Sequence, residues 1–302
     1  MAIDSRTSVG PVSLTVRDRV RAGSFYRCVV GLSEIAADGG RMLLGAGERA
    51  LVELVEDRDA PPRPPRTTGL FHLAILLPDR VALARSLRRL VETGWPLQGA
   101  SDHLVSEALY VGDPEGNGIE IYRDRPREEW RRDGSELRMA TLPLDLDDLL
   151  READGGASAD PGVPVATRMG HVHLEVADLA AGERFYAGLL GLGVTARAYP
   201  GALFLAAGGY HHHVGLNVWR RAGAPPPPGA LGLRSFELTL PSAAALAEVV
   251  GRLSAAGVEV DATDGRATVR DPAGNPLRLA TAARSARSEN APDAAGGHSA
   301  GC

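Results

Sequence analysis

Four segments of this 302-residue chain share one plan, and a fourfold repeat constrains a fold more than any single motif can. They read PVSLTVRD (11–18), HLAILLPD (72–79), HVHLEVAD (171–178) and SFELTLPS (235–242). In each, an Asp or Ser stands seven positions after the first residue. The apolar alternation predicts a half-buried strand. The closing Asp18, Asp79, Asp178 or Ser242 predicts a helix N-cap, because its side-chain oxygen accepts a backbone N–H that the first turn leaves unpaired. Helical patterns follow. FYRCVVGL (25–32) and FYAGLLGL (185–192) end two of them in nearly the same words, each with a Gly suited to a left-handed cap. VALARSLRRLVETG (81–94) and AAALAEVVGRLSAAG (243–257) are the other two.

The second and fourth segments also end alike. DPEGNGIE (113–120) aligns with DPAGNPLR (271–278), and Asp-Pro followed by Gly-Asn is turn chemistry leading into an apolar strand. Each module therefore reads as strand, helix and about three strands, in two halves of two modules. The N-terminal half, with modules one and two, spans 1–125. A linker with one helix around 144–152 spans 126–165. The C-terminal half, with modules three and four, spans 166–282. The tail, 283–302, is rich in Ala, Ser, Gly and Asp and is expected to be disordered.

Charge excludes several partners. The net charge of −5 provides no basic field for nucleic acid or an anionic membrane. No apolar stretch is long enough to span a bilayer. The N-terminus lacks the apolar core of a secretion signal. Cys28 and Cys302 are too few for a disulfide framework, which fits a cytoplasmic protein.

The repeat also singles out chemistry. The first position of the four segments reads Pro11, His72, His171 and Ser235, and the closing strands of modules two and four carry Glu120 and Arg278. A lone His at the head of a strand is more often a surface or core residue than a ligand. Here, however, two histidines share one repeat position and a glutamate stands on the strand expected beside them. Two imidazoles and a carboxylate form the facial triad of a non-haem Fe(II) site, for which Mn(II) is also compatible. His173 lies two residues past His171 and is read as a neighbour of the site or a competing ligand. The run YHHHVGLN (210–217) is read as a strand, so that His211 and His213 share a face and His212 points the other way. DHLVSEALYVGD (102–113) adds His103 and Tyr110.

With FHLAILLPDR, SEALYVGDPEGNGIEIYRDRP and GYHHHVGLNVW in place, the chain resembles the vicinal-oxygen-chelate (glyoxalase/bleomycin resistance/extradiol dioxygenase) superfamily, and within it two-domain catechol-2,3-dioxygenase-like proteins, from about residue 9 to 280. The resemblance implies an α+β fold of four βαβββ modules in two tandem double-module halves, forming cup-shaped half-barrels. It implies an oxidoreductase that inserts O2 into a small aromatic diol next to its hydroxyl pair. It places metal on His72, His171 and Glu120, a base at His213 or its neighbour His212, and substrate-binding roles on Tyr110 and His103. In the better-known extradiol enzymes both contributing modules lie in the C-terminal half. Here they come second and third, so modules two and three must share one cup. Modules one and four, with Pro11, Ser235 and Arg278 at the ligand positions, would then form a structural cup without metal. Two other readings stay open. A glyoxalase-like isomerase would need a second glutamate, for which Asn217 stands at the comparable place and Glu53 is a weak candidate. A non-enzymatic aromatic- or drug-binding protein would need neither Glu120 nor His213. Self-association as a homodimer is compatible with each.

Overall fold

A computed structural model describes residues 1–153, 162–263 and 265–282. The expected disordered tail and the end of the linker, 154–161, lie outside the described residues. Module one comprises β1 (Ser8–Val16), α1 (Arg19–Phe25), β2 (Ser33–Asp38), β3 (Arg41–Ala46) and β4 (Arg49–Glu56). Module two comprises β5 (Gly69–Leu77), α2 (Arg80–Thr93), β6 (Gly99–Asp102), β7 (Ser106–Gly112) and β8 (Gly118–Asp124). The connection holds a two-residue hairpin, β9 (Arg132–Asp133) and β10 (Glu136–Leu137), and α3 (Leu146–Ala153). Module three is β11 (Arg168–Glu175), α4 (Leu179–Glu183), β12 (Gly193–Ala196), β13 (Ala202–Ala206) and β14 (Val214–Asn217). Module four is β15 (Gly232–Leu240), α5 (Ala243–Ala255), β16 (Asp261–Thr263), β17 (Arg266–Arg270) and β18 (Pro276–Thr281). The fold is α+β.

The expected caps explain where the helices start. Asp18, Asp79, Asp178 and Ser242 each accept a backbone N–H from the first turn of α1, α2, α4 and α5. α2 ends on Gly94 at φ 63°, a backbone that a side chain would strain. The periodicity of 25–32 and 185–192 gives no warning that α1 and α4 run on into wider turns, Tyr26–Val30 and Arg184–Leu189. There the bonds span five residues, as from the Gly31 N–H to the Tyr26 carbonyl.

In every module the first strand pairs in parallel with its own last strand: β1 with β4, β5 with β8, β11 with β14 and β15 with β18. The modules then join through antiparallel first strands, but not in chain order. β1 pairs with β15, and β5 with β11. One eight-stranded sheet therefore runs β16-β17-β18-β15-β1-β4-β3-β2, from modules four and one. The other runs β12-β13-β14-β11-β5-β8-β7-β6, from modules three and two.

Strand alternation sorts the two faces of the second sheet. Leu73, Ile75, Ile119 and Ile121 join the large apolar core, whereas Ala74, Leu76 and Tyr122 face the other way and pack with Tyr210. Each fully buried Leu or Ile on the core face contributes about 1.5–3 kcal/mol. That burial fixes the register, because a one-residue slip would turn the apolar set outward and the ligand set inward.

Candidate metal centre

Register alone brings the ligand types together. Ala74 on β5 lies opposite Glu120 on one side and His171 on the other. Glu120 lies opposite Tyr110 on β7. A row across four strands thus reads Tyr110, Glu120, Ala74, His171. The methyl group of Ala74 leaves room for its two neighbours to lean over it. His72 is two residues from Ala74 and so shares its face.

The three side chains converge. Glu120 Oε2 is 2.9 Å from His72 Nε2 and 3.1 Å from His171 Nε2, and the two nitrogens are 3.3 Å apart. All three residues are buried. Ligand bonds of about 2.1 Å at right angles would set donors about 3 Å apart, so the set fits one face of an octahedral ion. Burial alone would raise the Glu120 carboxyl, but the adjoining His171 and His72 imidazoles hold it well below the usual carboxylate range. Burial pushes the His171 imidazole down to about 4, outweighing the opposing pull of Glu120. A carboxylate beside a neutral imidazole at neutral pH is the protonation state that metal ligation requires.

Around this point the ring nitrogens are assigned by their partners. His103 Nδ1 donates to the Ala140 carbonyl at 2.7 Å, so its Nε2 accepts the Tyr110 hydroxyl at 2.6 Å. His211 Nε2 donates to Asp124 Oδ1 at 2.9 Å. Its Nδ1 is then the acceptor for His212 Nδ1–H at 2.7 Å. The lone pair of His212 therefore sits on Nε2. The His212 ring lies 3.9 Å, centroid to centroid, from that of His171 and lines the cup.

His213 is not brought to this site. β14 begins only at Val214, so residues 211–213 belong to the approach to the strand, and strand alternation does not govern them. His211 turns to Asp124, His212 turns into the cup, and His213 accepts the Ala207 N–H at its Nδ1 and lines a separate cavity. His173, opposite His72 on β11, packs between Phe71, Phe204 and Trp219 rather than joining the convergent donors. Its Nε2 is buried without a partner among the described residues.

The cup above the triad has a volume of about 290 Å3. Phe71, Tyr199, Phe204, Trp219 and Met139 wall it, and among the described residues Glu120 is the one carboxylate that lines it. These walls come from well-separated segments of chain, and no periodicity announced them. Trp219 at the end of GYHHHVGLNVW and Phe71 before His72 were the available signals.

A sequence profile of the Glyoxalase/Bleomycin resistance protein/Dioxygenase superfamily matches residues 8–121 and 168–279. The chain is 42% identical over 277 residues to a catechol-2,3-dioxygenase of Bacillus subtilis (strain 168), covering 90% of this chain and 96% of that one. Among solved structures, a putative dioxygenase from Bacillus subtilis subsp. subtilis str. 168 superposes with a TM-score of 0.67 at 13% identity, covering 93% of this chain and 86% of the other. Glyoxalase I from Zea mays superposes with a TM-score of 0.56 at 17% identity, covering 90% and 92%. At those identities the two structures speak for the fold alone.

Proposed function

The chain belongs to the glyoxalase/bleomycin resistance protein/dioxygenase superfamily, and on that premise we propose that it is an extradiol dioxygenase that opens a catechol-like ring with O2 at a mononuclear Fe(II) site. One observation carries this reading. A carboxylate and two imidazoles converge at an apolar cup that His72 and Glu120 line, and a third imidazole, of His212, lines the cup beside them. The name of the 42% identical relative supports it.

His72, His171 and Glu120 would hold the metal, and Mn(II) fits the same donors. When bound, the metal supplies Lewis acidity toward the diol oxygens and a shared site for the diol and O2. His212 takes a hydroxyl proton at Nε2 and returns it as the ring opens. Burial and the neighbouring imidazoles hold His212 well below the ordinary histidine range, which keeps it unprotonated at neutral pH. Tyr110 stands next to Glu120, and its hydroxyl, oriented by His103, meets a substrate oxygen. The aromatic walls hold the ring and exclude water. One ring C–C bond beside the diol breaks and both atoms of O2 enter the product, so catechol plus O2 balances a ring-opened hydroxy-acid aldehyde.

The isomerase reading needs a second carboxylate in the cup. Among the described lining residues there is none, and His212 stands beside the triad instead. Anaerobic loading with Fe(II), addition of catechol and admission of O2 tests the proposal. Oxygen uptake coupled to the visible absorbance of a ring-opened product, both lost in Glu120→Ala, supports it. Metal retention without turnover of any catechol overturns the reaction while leaving the metal centre standing.

A further inference from the structure

His213 lines a cavity of about 330 Å3 that the reaction above does not use. The cavity lies where the start of β1, at Ser8 and Val9, meets the start of β11, at Arg168 and Met169. Its volume is at the lower end of small-molecule sites.

Several of its polar lining residues carry a proton to give. The Ala207 N–H donates to His213 Nδ1 at 3.1 Å, so the neutral ring carries its own proton on Nε2. Among the described residues that N–H has no acceptor. Burial, together with His211, His171, Arg168 and Arg127, pushes the imidazole down to about 3, which keeps it in this neutral form. Thr7 is 3% exposed and its Oγ1 has no hydrogen-bond partner among the described residues, although buried hydroxyls are normally satisfied. Three arginines, Arg49, Arg127 and Arg168, line the same space at its exposed rim. Arg49 donates only to the Thr167 carbonyl, and Arg127 lies over the rings of Trp130 and Tyr210 at 5.3 and 5.8 Å. Among the described residues none of the three pairs with a carboxylate, and no Asp or Glu lines the cavity. In a chain of net charge −5, three cations without a counter-charge around one concavity call for an anion.

We infer that this cavity binds a small oxyanion, a carboxylate or phosphate group, held by Arg168 and Arg127 with the His213 Nε2–H and the Thr7 hydroxyl as further donors. Arginine presents paired N–H groups that match either oxyanion. The site does not depend on the dioxygenase reading, and the failure of one leaves the other untouched.

Calorimetric titration of the metal-loaded full chain tests it, with inorganic phosphate and succinate added separately at constant ionic strength in chloride. Saturable one-to-one binding of at least one anion is expected. Arg168→Ala and Arg127→Ala should each weaken it by about 10-fold or more without changing metal content or melting temperature, and Arg168→Lys should fall between. Binding of phosphate alone or of succinate alone supports the site and identifies which oxyanion it takes. No saturable binding of either below about 10 mM overturns it. So does binding that both arginine variants leave unchanged, since the anion would then lie elsewhere, for example on the metal.

Discussion

In the sheet of modules two and three, one row across four strands reads Tyr110, Glu120, Ala74, His171. In the sheet of modules one and four, the same register reads Leu43, Glu53, Ser13, Ser235. His72, two residues before Ala74, has Pro11 as its counterpart before Ser13. The carboxylate is thus present in both sheets, and what it faces differs. Glu120 is 3% exposed and meets two imidazoles. Glu53 lies 3.5 Å from Arg41 and 3.8 Å from Arg278. Arg278 stands opposite Glu237, where the other sheet places Gly215 opposite His173. A Cβ at Gly215 would come within 3.0 Å of the His173 ring, so that sheet has no room there for an arginine. A carboxylate at this register is therefore not by itself a metal site. Facing neutral imidazoles it leaves a charge for a cation to satisfy; facing guanidiniums it is already paired, in a partly exposed bridge that adds about 0–1 kcal/mol.

The comparison breaks most directly through the two glutamates. Glu120→Ala should reduce metal affinity by more than the roughly 10–100-fold typical of residues that merely support ligands. Glu53→Ala should leave metal content unchanged. Metal analysis of both variants decides, and loss of metal from Glu53→Ala would mean that the two cups are not chemically distinct. Next in size is the pair of adjacent histidines. His212→Ala should keep metal and lower kcat by about 100–10,000-fold, as for loss of a general base, whereas His213→Ala should turn over close to normally. The reverse outcome in steady-state assays would return the base role to His213 and require the 210–213 segment to turn over during catalysis.

The buried imidazole of His171 has only Ser235 as its counterpart, so a dependence of stability on acid should belong to one cup. Folded His171 titrates near 4, below its ordinary value of 6.5. Between those values the unfolded chain binds the proton and the folded chain does not. Stability therefore rises with pH across this window, and is lost as pH falls from about 6.5 to about 4. For the metal-free protein His171 should account for about 3 kcal/mol of this loss, and the depressed His173, His212 and His213 of the same sheet add to it. Denaturant titrations at pH 7 and pH 4.5 measure it, and His171→Ser should shrink the difference by about that share. An unchanged slope in that variant would assign the acid lability to other groups.

The fold was legible where local chemistry repeats. Asp18, Asp79, Asp178 and Ser242 cap helices as their spacing predicts. His72, His171 and Glu120 stood out because two shared a repeat position and the third followed a recognisable turn. The joining of modules two and three was legible only as a demand of the chemistry, since no residue in β5 or β11 names its antiparallel partner. The directions in which His212 and His213 point were not legible, because residues 211–213 precede β14 and strand alternation does not govern them. That Glu53 shares the register of Glu120 was not legible, because module one lacks the Asp-Pro-x-Gly-Asn turn that precedes Glu120. The aromatic walls gather side chains from distant segments, a relation that pattern does not carry.

A smaller and more symmetric test concerns the ties between the two sheets. Tyr26, from module one, donates its buried hydroxyl to Asp113 Oδ2 of module two at 3.2 Å. Tyr186, from module three, donates to Asp271 Oδ2 of module four at 2.8 Å. Each acceptor also takes two backbone N–H groups and an Asn side chain of its own turn, Asn117 or Asn275. Modules that belong to different sheets are thus fastened within each half by the same bond. Tyr→Phe at either position removes only the hydroxyl and leaves a carboxylate with its other donors, so each should cost about 1–3 kcal/mol, more at the shorter bond of Tyr186. The two ties share no partner, and the double variant should be additive within about 0.5 kcal/mol. Denaturant unfolding of the three variants gives these values. Equal treatment of the halves, with metal content unchanged throughout, would confine the difference between the cups to the residues that face each glutamate. Loss of metal from Tyr26→Phe, which touches none of His72, Glu120 and His171, would show that the sheet carrying that triad depends on its counterpart for its geometry.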